Sequence, residues 1–137
     1  MSYTIVIVTA KTCKHCVKFR QDTLPGVIDA LKSRNIRVYD VYLPDMRTPL
    51  PQDYPAVLND YVAFVPAILA VPTQQWKNGN ISNVYVFNGT RSSKGEIVAT
   101  KGYPLNADGI LLWYGNLPLT SEKVYTSGSY RVEERVR

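Results

Sequence analysis

Cys13 and Cys16 are the residues of this 137-residue chain whose types and spacing could carry out chemistry. They are its only two cysteines, with Lys14 and His15 between them, and they follow the apolar run 3–9. Two cysteines at this spacing, at the start of a helix, can close a disulfide within one helical turn. The first thiol would lie at the helix N-terminus, where free N–H groups and partial positive charge favour a thiolate. The spacing therefore predicts a redox-active pair.

Positive charge around the cysteines points in the same direction. Residues 1–37 hold seven basic and two acidic side chains, whereas the remaining 100 residues hold nine of each. This excess, with Lys14 and His15 nearest the thiols, would stabilise a thiolate and attract acidic partners. The alternative is that the lysines form an ordinary solvated helix face and that His15 is an inert surface residue. We expect no nucleic-acid partner, because no Arg/Lys stripe is interleaved with exposed aromatic residues.

Two other interpretations of the cysteines are weaker. As small buried hydrophobic residues, they would leave their spacing and position to chance. A zinc site needs four ligands, and Cys13, Cys16 and His15 are too few for one ion, so a metal would need a second chain. We expect no metal, and no cofactor other than a redox-active Cys13–Cys16 disulfide.

Length and composition predict a single folded domain. A chain of 137 residues with 45% hydrophobic content is long enough to bury a core. No stretch approaches the roughly 20 apolar residues of a membrane span. The run 3–9 is short and lacks a basic flank, so we expect no signal peptide, no membrane partner and a cytoplasmic location. Residues 1–118 are predicted to form the domain and 119–137 a polar C-terminal tail.

Hydrophobic periodicity predicts alternating strands and helices. The predicted strands are 3–9, 36–42, 65–71, 84–87 and 96–100, and the first two should be parallel. The predicted helices are 14–22, a second piece from Pro25 to about 33, 52–61, and one from Asn106 or Asp108 to about 116. Asn35 suits the end of the second helix. The region around residues 73–88 is predicted to add an extra hairpin.

In this order of elements, the chain resembles the thioredoxin-like family of thiol–disulfide oxidoreductases, which includes thioredoxins and glutaredoxins. The resemblance covers about residues 3–117, and it is carried by Cys13-Lys14-His15-Cys16, by Val65-Pro66 before a β-rich run, and by residues 95–102 followed by 105–117. It implies an α/β, thioredoxin-like fold, with a central mixed β-sheet flanked by helices and its last strand within 95–102. It also implies that Val65-Pro66 is a cis bond facing the disulfide; the alternative is an ordinary trans proline that opens a strand.

The resemblance implies a mechanism as well. Cys13 would form a mixed disulfide with a protein substrate, Cys16 would resolve it, and a redox partner would restore the pair. Lys14 and His15 would tune the thiols. The substrate-binding residues that the resemblance implies are Thr12, Val65, Pro66, Gly102 and Tyr103. Plain packing remains the alternative for Tyr103.

The chain departs from the family pattern at three positions. Thr12 stands where an aromatic residue is common, and Ile7 stands where the family has a buried carboxylate that helps to deprotonate the second cysteine. Lys14-His15 stands between the cysteines, where many members have a proline, and a histidine just before the second cysteine resembles the more oxidising members. We therefore expect a relatively oxidising thiol–disulfide oxidoreductase.

A second class of function stays open at this point. A thioredoxin-like domain can serve as a structural or interaction subunit of a larger assembly, such as a particle or a multi-subunit complex, with its CxxC retained. On that hypothesis, another chain pins the polar tail 119–137, which would otherwise be disordered. Rapid alkylation of Cys13 at neutral pH would favour the enzyme.

Overall fold

The computed structural model describes residues 2–118 in full and the backbone of residues 123–126 and 131–134. The elements in chain order are β1 Tyr3–Ala10, α1 Lys14–Asp22, α2 Leu24–Lys32, β2 Val38–Leu43, a 3₁₀ helix Ala56–Tyr61, β3 Ala67–Pro72, α3 Thr73–Asn78, β4 Tyr85–Val86, β5 Gly89–Arg91, β6 Ile97–Ala99, α4 Ala107–Gly115, β7 Lys123–Thr126 and β8 Arg131–Glu134. None of the described helices is long and apolar enough to cross a membrane.

The central sheet has four strands in the order β2-β1-β3-β4. β1 pairs with β2 in parallel and with β3 antiparallel, and β4 is antiparallel to β3. All eight residues of β1 are buried. Its sequence is therefore a nearly unbroken β-branched run instead of an alternating one. The predictions of an α/β domain, a mixed sheet and a parallel first pair of strands are confirmed.

The two faces of the sheet contact separate hydrophobic clusters. Successive side chains of a strand point to opposite faces. Ile5 and Ile7 face the cluster that α1, α2 and α4 contribute to. Val6 and Val8 face the other cluster, to which the connection between β2 and β3 contributes Leu58. Because both faces are covered, the central side chains of the sheet are fully buried.

The helix boundaries follow local sequence signals. α1 spans its predicted residues, and α2 begins at Leu24 with Pro25 in its first turn, where the missing proline N–H has no helical partner to lose. Asn35 follows α2 in the left-handed conformation, with φ 61°, which asparagine tolerates. Asn106 caps α4 by accepting the Gly109 N–H at 2.8 Å. These predicted helix signals are confirmed.

The extra hairpin predicted around residues 73–88 is wrong. β3 runs directly into α3, which ends at Gly79 in the left-handed conformation, with φ 77°. The turn-like sequence at Gly79 is therefore a helix C-cap, a position that glycine favours. Beyond it, the Gln75 side-chain oxygen accepts the N–H groups of Ser82 and Asn83 at 2.9 and 3.2 Å. These bonds fix the chain as it returns towards β4.

The strand predicted at 96–100 exists only at Ile97–Ala99, and its assignment as the last strand of the sheet is wrong. β6 pairs with β5 in a separate two-stranded ribbon, and β4 is the edge of the central sheet. Asn88 closes the base of this ribbon. Its side chain accepts the Tyr103 N–H at 2.9 Å and donates to the Tyr103 carbonyl at 2.7 Å. Its backbone carbonyl accepts the Thr100 N–H at 2.9 Å. The ribbon is thus an excursion between β4 and α4.

Two further regions differ from the prediction. The helix expected at 52–61 is a 3₁₀ helix confined to Ala56–Tyr61. It does not extend back to residue 52, because Pro55 disfavours helical backbone at the residue before it. In the tail 119–137, where the sequence predicted only polar chain, β7 and β8 pair antiparallel. The hypothesis that another chain pins this tail depends on side chains that lie outside the described residues.

Close packing at the start of α4 predicts a local sensitivity to substitution. A Cβ atom on Gly109 would overlap the backbone carbonyl of Pro104. We expect Gly109→Ala to lower the free energy of unfolding by about 1–3 kcal/mol, the usual cost of overpacking, as measured by urea denaturation. Gly115→Ala in the same helix is the control, because nothing lies within 4 Å of its added methyl group. Similar effects of the two substitutions would contradict this account.

Candidate functional site

Cys13 forms the cap of the helix that follows β1. Its N–H donates to the Ala10 carbonyl at 3.1 Å, and its backbone is extended, with φ −100° and ψ 114°, before α1 begins. The Cys13 sulfur accepts the backbone N–H of Cys16 at 3.1 Å. A sulfur in this position lies at the positive end of the helix dipole. The local fold therefore places the Cys13 sulfur at the start of α1, facing a backbone N–H group of the first helical turn.

Cys16 lies in a different environment from Cys13. It is fully buried, whereas Cys13 is only half-buried, and both are free thiols. Burial, and then the hydrogen-bonding interaction between the two cysteine side chains, raise the pKa of the Cys16 thiol from 9.0 to about 11. The Ala10 backbone and the positive charge of Arg20 lower this pKa, but by less than burial raises it. At neutral pH, Cys16 is therefore a protonated thiol behind a more accessible Cys13.

The segment that enters β3 lies against Cys13. The Val65–Pro66 peptide bond is cis, and the Val65 carbonyl oxygen is 3.9 Å from the Cys13 sulfur. The topology explains this proximity. β1 and β3 are antiparallel, with Val8 opposite Ala67, so the chain entering β3 lies beside the chain leaving β1. The prediction that this bond is cis and adjacent to the first thiol is confirmed.

The remaining residues of the motif lie on the surface. Thr12 is exposed in the turn between β1 and α1, and Lys14 and His15 are exposed in the first turn of α1. Within residues 2–118, no hydrogen bond or salt bridge holds the side chain of Lys14 or His15. Any influence of these two side chains on the thiols must act through space. Their tuning role stays a prediction.

Gly102 and Tyr103 connect the ribbon to α4. A Cβ atom on Gly102 would overlap the Asn88 side chain, so this close approach requires glycine. The Tyr103 ring stacks on Phe87 with its centroid 6.3 Å away, and its hydroxyl accepts a hydrogen bond from Asn116 at 3.4 Å. The Tyr103 ring therefore packs against the first hydrophobic cluster. A role in a substrate groove stays a prediction.

Sequence reasoning missed an ion pair beside Cys16. Arg20 of α1 donates two hydrogen bonds to Asp40 of β2, at 2.8 and 3.0 Å, and a third to the buried Thr9 hydroxyl at 2.9 Å. The guanidinium carbon lies 4.0 Å from the centre of the Tyr42 ring. Two signals could have revealed the group. Arg20 follows Cys16 by four residues, which places both on one helix face, and strand alternation puts Asp40 and Tyr42 on one face of β2.

A cleft elsewhere on the molecule contains none of the predicted site residues. It has a volume of about 580 Å³, and its lining includes Tyr54, Trp76 and Asn80. The Tyr39 and Trp76 rings stack with centroids 5.2 Å apart, and Tyr54 packs edge-on against Tyr39 at 5.8 Å. These aromatic residues cover the second hydrophobic cluster, which accounts for their presence without a ligand.

In the part of the chain that the structure describes, no group of three or more His, Cys, Asp or Glu side chains is placed to hold a metal ion. Comparison with known proteins gives no relative: no family model, curated protein or solved structure matches the chain. The chemistry of the site must therefore be argued from its own geometry.

The raised pKa of Cys16 predicts a loss of stability at alkaline pH. The ordinary pKa is 9.0 and the folded-state pKa is about 11, so over this range the unfolded chain loses the Cys16 proton and the folded protein keeps it. The stability that the protonated Cys16 thiol contributes is complete below the unfolded-state pKa. It is lost as pH rises through the folded-state pKa. Between them, the free energy of unfolding of the wild type should fall by about 2 kcal/mol more than that of Cys16→Ala. Denaturant titrations across this range measure the difference, and parallel curves would contradict it.

Proposed function

We propose that this protein is a thiol–disulfide oxidoreductase that exchanges disulfides with protein substrates through Cys13 and Cys16. The observation that carries the proposal is the contrast between the two thiols. The Cys13 sulfur caps a helix, is partly accessible and lies 3.9 Å from the Val65 carbonyl. Cys16 is buried and has a raised pKa. One thiol is suited to meet a substrate, and the other to act only after the first has reacted.

We further propose a thioredoxin-like fold. The strand order β2-β1-β3-β4, with a parallel first pair and an antiparallel β3, supports this assignment. So do the position of the two cysteines after β1 and of the cis Val65–Pro66 bond before β3. α3 and the β5–β6 ribbon are additions to this framework. Along the chain, α3 precedes β4 and the ribbon follows it.

The proposed reaction transfers two electrons and two protons. In the reducing direction, the Cys13 thiolate attacks one sulfur of a substrate disulfide. A mixed disulfide forms, and the other substrate sulfur leaves as a thiolate and takes up a proton. Cys16 then loses its proton and attacks the Cys13 sulfur, so that the Cys13–Cys16 disulfide forms and the second substrate thiolate leaves. The reverse sequence oxidises a substrate dithiol, and no further cofactor is needed.

The substrate would lie along the segment that enters β3. Val65 precedes the first paired residue of that strand, Ala67, so its backbone groups are outside the sheet ladder. An extended substrate could pair with them while its sulfur meets Cys13. Thr12 and Gly102 are exposed, and we assign them to the same surface. The alternative function, a structural subunit of an assembly, rests on the tail, and no observation among the described residues favours it.

The assignment of roles predicts which cysteine traps a substrate. Cys16→Ser should accumulate mixed disulfides through Cys13, because no resolving thiol remains, whereas Cys13→Ser should accumulate none. Non-reducing electrophoresis and mass spectrometry after incubation with a disulfide-containing protein measure the adducts. Wild-type protein, which can resolve the adduct, is the control. Equal trapping by both variants, or by neither, would contradict the assignment of Cys13 as the attacking thiol and Cys16 as the resolving thiol.

The motif also predicts the reduction potential. With His15 beside the thiols and Ile7 in place of a carboxylate, the pair should be more oxidising than the roughly −270 mV of thioredoxin. His15→Pro should lower the potential, and His15→Gln separates the loss of the imidazole from the effect of proline on the backbone. Equilibration with glutathione buffers measures the reduction potential of the wild type and of the two His15 variants. A wild-type potential at or below the thioredoxin value would show that this interpretation of His15 is wrong.

A further inference from the structure

Arg20 is held in one position by three neighbouring groups. Asp40 accepts two of its hydrogen bonds, at 2.8 and 3.0 Å, and the Thr9 hydroxyl accepts another at 2.9 Å. The ring of Tyr42 lies 4.0 Å away, within the range of a cation–π contact. The Arg20 side chain is only 23% exposed. A guanidinium fixed in this way is a pre-organised charge, in contrast to a mobile surface cation.

The same helix face presents the second thiol. Cys16 and Arg20 are four residues apart in α1, the spacing at which helical side chains become neighbours. Both lie against the end of β1: Arg20 contacts Thr9, and Cys16 interacts with the backbone of Ala10. The positive charge of the Arg20 guanidinium favours the ionised form of the Cys16 thiol.

The charged and titratable groups around Cys16 are few. On α1, Cys13 and Arg20 act on its thiol. On β2, Asp40 and Tyr42 contact the guanidinium. β1 contributes the neutral Thr9 and Ala10. Ile7 of β1, at the position where the resembling family has a carboxylate, is fully buried and apolar. Lys11, in the turn after β1, lies over the same Tyr42 ring, 5.6 Å from its centroid. Of these two cations, Arg20 is the one whose charge acts on the Cys16 thiol.

We propose that Arg20 is a positioning residue for the resolving thiol: fixed by Asp40 and Thr9, it stabilises the Cys16 thiolate during disulfide exchange. The inference rests on the proposed function and deepens it. In the reducing direction, Cys16 gives its proton to water or to the departing substrate thiolate and attacks the Cys13 sulfur as a thiolate. In the oxidising direction, a substrate thiolate attacks Cys13, and Cys16 leaves as a thiolate. Arg20 keeps its proton in both directions, and its charge lowers the same barrier.

A purely structural role for the ion pair makes a different prediction. The Arg20–Asp40 pair also ties α1 to β2, and its loss would lower the free energy of unfolding. That loss alone would leave the ionisation of Cys16 unchanged. The pKa of Cys16 in a folded variant is therefore the readout that separates the two roles.

The first experiment titrates Cys16 directly. In a Cys13→Ser background, thiolate absorbance follows the ionisation of Cys16 with and without Arg20→Met. Removing the cation should raise the Cys16 pKa by about half a unit to one unit, a modest effect because Asp40 offsets part of the charge. Arg20→Lys should recover part of the wild-type value, because it keeps the charge but loses the two-pronged contact. Lys18→Met is the matched control, since it removes an 81% exposed cation from the same helix and should leave the titration unchanged.

The second experiment measures the resolving step in protein with both cysteines. A rise of one unit in pKa lowers the thiolate fraction at neutral pH about tenfold but raises intrinsic nucleophilicity, so the mixed disulfide should resolve about three- to fourfold more slowly. Circular dichroism checks that Arg20→Met is folded. An unchanged Cys16 titration in Arg20→Met, while the wild type exchanges disulfides, would overturn the role of Arg20 alone. A wild type that exchanges no disulfide, with the pKa still raised in Arg20→Met, would instead overturn the proposed function.

Discussion

The complete burial of β1 is the constraint on which the rest of the structure depends. A strand whose eight residues are all buried must be paired on both edges and covered on both faces, because unpaired backbone groups in an apolar interior are costly. β2 and β3 supply the edges, and the helices and the β2–β3 connection supply the faces. The end of this strand is consequently a fixed point. Cys13 follows β1 by a short turn, and the antiparallel pairing of β1 with β3 places Val65 beside it.

Burial also creates the chemical difference between two otherwise identical side chains. The two cysteines are three residues apart, so one helical turn carries the chain from a partly accessible cap position to the closed interior of the domain. The Cys13 sulfur receives a helix N–H, whereas the Cys16 thiol loses its water. On the proposed function, the partly accessible Cys13 sulfur would meet the substrate, and the buried Cys16 thiol, with its raised pKa, would react second.

The sequence allowed the parts of the fold that depend on local signals to be predicted. α1, the interruption at Pro25 and the cap at Asn106 are set by neighbouring residues, and the buried β1 is set by its own composition. The ribbon could not be found in this way, because its base depends on Asn88 bonding to Tyr103, fifteen residues later. The sequence does not distinguish α3 from a hairpin, because a glycine after asparagine is typical of both a hairpin turn and a helix end. Within the site, the cis bond could be inferred only by resemblance. Helix spacing and strand alternation assign Arg20 and Asp40 to a face of α1 and of β2, but they do not show that these two faces meet.

A buried carboxylate and a fixed arginine would assist a second thiol in different ways. A carboxylate can accept the proton, but its negative charge destabilises the thiolate that results. An arginine cannot accept the proton, and its positive charge stabilises that thiolate. On the proposed mechanism, with Ile7 among the apolar residues of β1, the chain would offer charge in place of a proton acceptor. A lone cation at the edge of an apolar core would itself be costly to desolvate, and its pairing with Asp40 reduces that cost. The Arg20–Asp40 pair is neutral as a whole, which reduces the cost of placing it next to the thiol. Its cation, Arg20, is the member that lies on the same helix face as Cys16.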